Sequence, residues 1–273
     1  MRASKWQAAV DRAEQLRAER LAAMPVKVSV VMATHNKPTY LARTLDSIIR
    51  QRPDFNCEVI VVDDGSAGNE TEQVCKVRGV TYLRIDRAGE YRNPGPARNL
   101  GYRHAKGEVV IAQSDDVVHE QIDSLQRLSE LKQGEMHFAT VWNASFSQSG
   151  IMMRRLQAYT AKDINERPLF FLGSIYRKDL FSVGCNDECF SLAGYEDQFL
   201  GDCLLRIPLS PVYRTDVTAY HQDHPRPRLR NYYTQMESVY LTRIAECEHS
   251  GKWCSSSGPW KYENGKSAIE LQS

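Results

Sequence analysis

The residues best suited to chemistry fall in clusters of oxygen and imidazole donors. Asp115-Asp116 and Asp63-Asp64-Gly65-Ser66 each follow an apolar stretch, Glu196-Asp197 follows Gly194-Tyr195, and His221 and His224 flank Gln222-Asp223. Adjacent carboxylates are costly to bring together unless a cation, hydrogen bonds or water compensates. At the rim of a sheet, hard oxygen ligands suit Mg²⁺ or Mn²⁺, which in turn can hold a diphosphate. Two imidazoles three residues apart bind one metal if the backbone turns them together. Glu196-Asp197 offers a general base beside a second carboxylate able to hold an acceptor hydroxyl. Each cluster alone has a plainer reading: an acidic turn, a glycine-assisted turn, a solvated helix start, or a loop with two hydrated histidines.

The elements around these clusters decide between the readings. Val26–Ala33 is β-branched and apolar, as a buried strand should be. Pro38 then opens a helix whose core face carries Leu41, Leu45, Ile48 and Ile49. Cys57–Val62 reads as a second buried strand, followed by a short helix over Glu70–Val77 and a strand over Val80–Ile85. Gly95–Ala105 reads as helix and Glu108–Gln113 as strand, and Ile122, Leu125, Leu128 and Leu131 mark a further helix. Alternation of this kind implies an α/β fold, a mainly parallel sheet with helices on both faces. Ligands of such sheets sit beyond the carboxyl ends of the strands. Thr34–Asn36, Asp63–Ser66 and Ser114–Asp116 all fall there, and that convergence turns a fold reading into a site reading.

At the N-terminus, Trp6, Val10, Ala13 and Leu16 recur at helical spacing, so an amphipathic helix closing before Pro25 is expected, its stripe packed on the domain by the favoured reading and on a partner subunit by the alternative. With 35 basic and 34 acidic residues the net charge is +1, which argues against a surface built as a whole to grip nucleic acid. No apolar run approaches the ~20 residues needed to span a bilayer, and Met1 to Met24 lacks the apolar centre of a signal peptide. Seven scattered cysteines suit reduced thiols, and a cytoplasmic protein is expected, one that would meet any lipid-linked acceptor at the membrane surface. Cys185 and Cys189 lack a second close pair and do not make a zinc site.

The order of the motifs is more specific than any one of them. Val28-Ser-Val-Val-Met-Ala-Thr-His-Asn36 followed by Val61-Val-Asp-Asp-Gly-Ser66 resembles the opening of family 2 glycosyltransferases, which have the GT-A fold. The resemblance continues through Gly95-Pro-Ala-Arg-Asn-Leu-Gly101, Ala105-Lys-Gly-Glu108 and Asp115-Asp116, then Gly173-Ser-Ile-Tyr-Arg-Lys-Asp179, Gly194-Tyr-Glu-Asp197 and His221-x-x-His224-Pro225. It implies a transferase domain over 26–225, between an N-terminal helical extension (1–25) and a C-terminal helical and irregular one (226–273).

By that resemblance Thr34, Asn36 and Asp64 line the nucleoside pocket with Asp63 beside them, and Arg98 and Asn99 help to hold the donor. Asp116 matches the last carboxylate of the family's Asp-x-Asp metal motif, with His224 and then His221 as further ligands to Mn²⁺ or Mg²⁺. Asp197 matches the catalytic base and Glu196 its acceptor-binding neighbour. Ser114 replaces the motif's first carboxylate, with Asp115 in the middle to compensate in part on the donor side. Gly184-Cys-Asn-Asp-Glu188 and Phe199 also depart from the family pattern, where they bear on acceptor fit.

The implied reaction is inverting transfer of a sugar from a nucleotide-sugar donor, a UDP-sugar by resemblance, to an acceptor hydroxyl. A glycan, a lipid-linked sugar, a protein or a hydroxylated nucleic-acid base would all serve as acceptor. Arg226, Arg228 and Arg230 before Tyr232 and Tyr233 would suit an anionic acceptor, but a solvated helix face is the favoured reading. The rival from another class is a non-catalytic nucleotide-sugar-binding or assembly protein that keeps the fold. A nucleotidyltransferase would need a glycine-rich loop after the first strand, where Ala33-Thr-His-Asn-Lys37 stands, and a metallohydrolase would need a third ligand beside the histidines.

Overall fold

The computed structural model describes residues 2–87, 92–159, 169–225, 231–256, 262–263 and 266–267. The first half alternates as its patterning requires: β1 (Val26–Thr34), α2 (Pro38–Ile49), β2 (Asn56–Asp63), α3 (Glu70–Val77), β3 (Thr81–Arg84), α4 (Gly95–His104) and β4 (Val109–Gln113), all preceded by α1 (Arg2–Ala22). Then come β5 (Val117–His119), α5 (Ser124–Leu128), β6 (Glu135–Phe146), β7 (Met152–Tyr159), β8 (Leu172–Tyr176), α6 (Arg177–Ser182), α7 (Glu196–Leu204), β9 (Ser210–Gln222) and α8 (Tyr232–Ser250). A short antiparallel pair, β10 (Tyr262–Glu263) and β11 (Lys266–Ser267), follows.

Among the described residues β1 to β9 form one sheet in the order β3-β2-β1-β4-β8-β6-β9-β5, with β7 on β6. The run β3-β2-β1-β4 is parallel, and so is β6 with β9; the β8, β7 and β5 pairings are antiparallel. Parallel strands are buried on both faces, and β1 shows it: Val28, Val30 and Met32 join the cluster under α2 and α5, while Val31 joins the one under α4 and α7. Gly101 of α4 lies so close to the sheet that a Cβ there would meet Val31 Cγ1 at 2.4 Å. In α2, Leu41, Leu45 and Ile48 are buried as the periodicity requires.

Some expectations change. Ile49 is 47% exposed, and the helix expected through Ile122–Leu131 shrinks to α5, leaving Ile122 64% exposed. The α1 stripe does not pack on the domain: Trp6 and Leu16 are exposed, and the helix touches the body through Arg17, whose guanidinium donates to the Pro53 carbonyl, and through Glu14 beside Arg52. Within the stripe Val10 is half-buried, while Trp6, Ala13 and Leu16 are exposed. In the stretch after 225, Met236, Tyr240 and Cys247 of α8 are buried in the cluster shared with α4 and α7. Arg226, Arg228 and Arg230 lie outside the described residues. Among the described residues no helix is long and apolar enough to cross a membrane.

Candidate active site

Parallel register brings the first polar clusters together. Thr34, last in β1, is the ladder partner of Asp63, last in β2, and the Asp64 N–H donates to the Thr34 carbonyl at 2.9 Å. Asn36 adopts a left-handed backbone (φ 53°), which asparagine tolerates better than most residues. Its N–H donates to Ser66 Oγ and its Oδ1 accepts from the Ala67 N–H, both at 2.8 Å, so Asn36 ties the first strand-end loop to the second. Asp63 is spent on the scaffold: it accepts from the Ser66 N–H, the Tyr82 hydroxyl and Arg84. Asp64 is 3% exposed and is gripped by Arg87, which donates from Nε at 2.8 Å and also from Nη2, with Arg92 Nη1 at 3.5 Å. Gly65 (φ 73°) permits this closeness, because a Cβ would lie 3.3 Å from Arg92 Nη1.

The expected metal ligands converge. Asp116 ends the short turn between β4 and β5, whereas His221 lies within β9 rather than in a loop, opposite Val117 in the antiparallel β5–β9 ladder. Asp116 Oδ1 is 3.3 Å from His221 Nε2, and Oδ2 is 3.1 Å from His224 Nε2. Each imidazole has its other nitrogen beside an oxygen: His221 Nδ1 at 3.2 Å from Asn143 Oδ1 and His224 Nδ1 at 3.0 Å from the Pro225 carbonyl. A carbonyl can only accept, so each Nδ1 carries a proton and Nε2 is the atom left facing Asp116: it donates to the carboxylate when protonated and would offer its lone pair to a cation when neutral. The three ligand atoms lie within 4.8 Å of one another, and the buried Asp116 Oδ1 receives no hydrogen bond. These residues fit a divalent cation.

Lys37, absent from the sequence-based site, stands here too. Its Nζ lies 2.7 Å from Asp116 Oδ2, 3.6 Å from Asp115 Oδ1 and 3.2 Å from His224 Nε2. Burial pushes the Asp116 carboxyl up, but the two imidazoles and Lys37 outweigh it and hold the group well below the usual carboxylate range. Asp115 goes the other way: burial raises it, and Lys37 opposes that only in part. Ser114 is half-buried, and its N–H donates to the Phe171 carbonyl.

Glu196 and Asp197 open α7 after two left-handed residues, Gly194 (φ 116°) and Tyr195 (φ 69°). Glu196 folds back to accept the Gly194 N–H, and Asp197 Oδ1 accepts the Gln198 N–H at 2.8 Å. Burial raises both carboxyls, the Asp197 charge raises Glu196 further, and Arg98 on α4 lowers both. Arg98 thus acts on the α7 carboxylates. Its neighbour Asn99 is fully buried, with Nδ2 donating to the Asn186 carbonyl and Glu188 Oε1 while Oδ1 accepts the Asn186 N–H at 3.0 Å. Asn99 therefore holds the 186–188 loop rather than facing an open cleft. Asp187 in that loop is clamped from the other side by Arg243 Nε at 2.9 Å and the Ser256 hydroxyl at 2.8 Å. Sequence reasoning missed Lys37, Arg87, Asn143 and Arg243; only the position of Lys37, one residue beyond a strand-end turn, was a usable signal.

The family model described as Glycosyl transferase family 2 matches residues 29–199. Among curated relatives, the uncharacterized glycosyltransferase YfnE of Bacillus subtilis (strain 168) is 24% identical over 257 residues, covering 73% of this chain and 66% of YfnE. The poly(ribitol-phosphate) beta-N-acetylglucosaminyltransferase TarS of Staphylococcus aureus (strain Mu50 / ATCC 700699) is 32% identical over 99 residues, 35% of this chain and 17% of TarS. The chain thus spans less than two thirds of each. The crystal structure of S. aureus TarS 1-349 in complex with UDP-GlcNAc superposes with a TM-score of 0.60 at 17% identity, covering 80% of this chain and 66% of that one. At that identity the likeness speaks for the GT-A fold. With strand-end carboxylates, paired histidines and the α7 carboxylates in the expected order, this chain belongs to glycosyl transferase family 2.

Proposed function

We propose that this transferase moves a sugar from a UDP-sugar to an acceptor hydroxyl with inversion, using Asp197 as general base. The observation that carries the reading is the convergence of Asp116, His221 and His224 on one point beside the strand ends that also hold Asp64. The TarS structure of like fold is a complex with UDP-GlcNAc, which supports a uridine nucleotide here. Asp64 and Thr34 would line the nucleoside pocket. Asp116, His221 and His224 would hold Mn²⁺ or Mg²⁺, which when bound neutralises charge on the departing diphosphate.

Asp197 takes the acceptor proton as that oxygen attacks the anomeric carbon from the face opposite the nucleotide. Its raised carboxyl is the stronger base for it, and Glu196 holds the acceptor. A glycan, lipid-linked sugar, protein or hydroxylated base remains open as acceptor, with a nucleic-acid acceptor not favoured. The test is a thermal-shift panel of nucleoside diphosphates and nucleotide sugars with Mn²⁺, Mg²⁺ or EDTA, followed by donor hydrolysis. Metal-dependent stabilisation by UDP with slow hydrolysis of one UDP-sugar is expected. Binding without hydrolysis or transfer would favour the non-catalytic alternative, towards which Ser114 points.

A further inference from the structure

Lys37 has no task in the reaction just described, yet it occupies the centre of the site. It precedes α2 and reaches across from the end of β1 to the end of β4. Its ammonium lies 2.7 Å from Asp116 Oδ2 and 3.2 Å from His224 Nε2, two of the atoms that would receive a divalent cation. Two cations at that separation repel strongly in a partly desolvated setting. Asp115 and Asp116 are 6% and 2% exposed, and buried adjacent carboxylates need positive charge close by. The Lys37 side chain is 29% exposed, so its flexible stem can withdraw towards water without unfolding anything.

We propose that the Lys37 ammonium is a resident counter-ion that competes with the divalent cation for the Asp116–His224 seat and keeps metal affinity low until the donor's diphosphate arrives. The inference rests on the metal-seat reading above. It gives the buried acidic pair a cation of the chain's own. Added diphosphate charge would give Lys37 a second partner, so metal and nucleotide would bind cooperatively, with the coupling set by one side chain.

The test is a Mn²⁺ titration of the full chain without donor, reading free Mn²⁺ by electron paramagnetic resonance. It uses the wild type, Lys37→Met, Lys37→Gln, Lys37→Arg and His224→Ala, each first checked for cooperative unfolding. Lys37→Met and Lys37→Gln should bind Mn²⁺ at least about tenfold more tightly than wild type, whereas Lys37→Arg, which keeps the charge, should not. Adding UDP should raise the wild-type affinity and close most of the gap. Unchanged or weaker binding in both neutral variants, with binding still lost in His224→Ala, overturns the inference and leaves the metal seat standing. Mn²⁺ binding indifferent to His224→Ala, or absent from every variant, overturns the seat itself and this inference with it.

Discussion

Val117 and His221 are ladder partners in the antiparallel β5–β9 pair, and this register carries the His221 imidazole to within 3.3 Å of the Asp116 carboxylate. Asn143 is in turn the β6 partner of His221 in the parallel β6–β9 pair, and its side-chain oxygen faces the other imidazole nitrogen. β9 thus delivers the candidate ligand, and Asn143 on β6 orients it. A slip of one residue would turn His221 to the opposite face of the sheet.

Asp116→Asn and His224→Ala should abolish the metal-dependent part of stabilisation by UDP. In the wild type that stabilisation should reach about 3–4 kcal/mol at ligand concentrations a hundred- to a thousandfold above Kd. Melting with UDP and Mn²⁺ or EDTA reads it, and variants that keep the full difference would remove these residues from the site.

Asp197→Asn should lower transfer or donor hydrolysis by about 10²–10⁴-fold while leaving the UDP-induced shift in place. Glu196→Gln should act mainly on the acceptor's KM. Because burial raises the Asp197 carboxyl and it works as the unprotonated form, kcat/KM should begin to fall at a higher pH than an ordinary aspartate would dictate. A rate flat down to the usual carboxylate range would argue against the assignment.

Asn99→Ala should destabilise the fold by about 2–3 kcal/mol, because it strands the buried Asn186 backbone and Glu188. Arg243→Ala should cost about 3–5 kcal/mol, since it leaves the fully buried Asp187 without its cation. Urea unfolding measures both. An effect under about 0.5 kcal/mol in either would mean that the 186–188 loop is held by other contacts.

Acid should destabilise the protein through His119. Burial lowers this imidazole to about 4 from its ordinary 6.5, so the folded chain keeps it neutral while the unfolded chain protonates it. The stability it supports is fully present above pH 6.5 and is lost as pH falls through that window, about 3 kcal/mol in all. His119→Gln should flatten the slope of unfolding free energy between pH 6.5 and 4, and an unaltered slope would place the titrating group elsewhere.

Much of the fold's first half is local and could be read directly. An apolar β-branched run must be buried and must end where polar residues begin, so Thr34, Asp63 and Asp116 could be placed at strand ends before any pairing was known. Asp197 was legible only through the order of motifs, because a carboxylate opening a helix looks like any cap. The three-residue β5 carries too little periodicity to mark a strand, and the histidines read as a loop because nothing local tells an edge ladder from a turn. The role of Asn99 depends on a loop distant in sequence, and the approach of Lys37 to Asp116 depends on β1 and β4 lying side by side. Local patterning determined which residues must be buried and where strands must stop. Only the tertiary register decided which side chains meet, because a hydrogen bond or ion pair needs its partner within a few ångströms and chain spacing does not encode that distance.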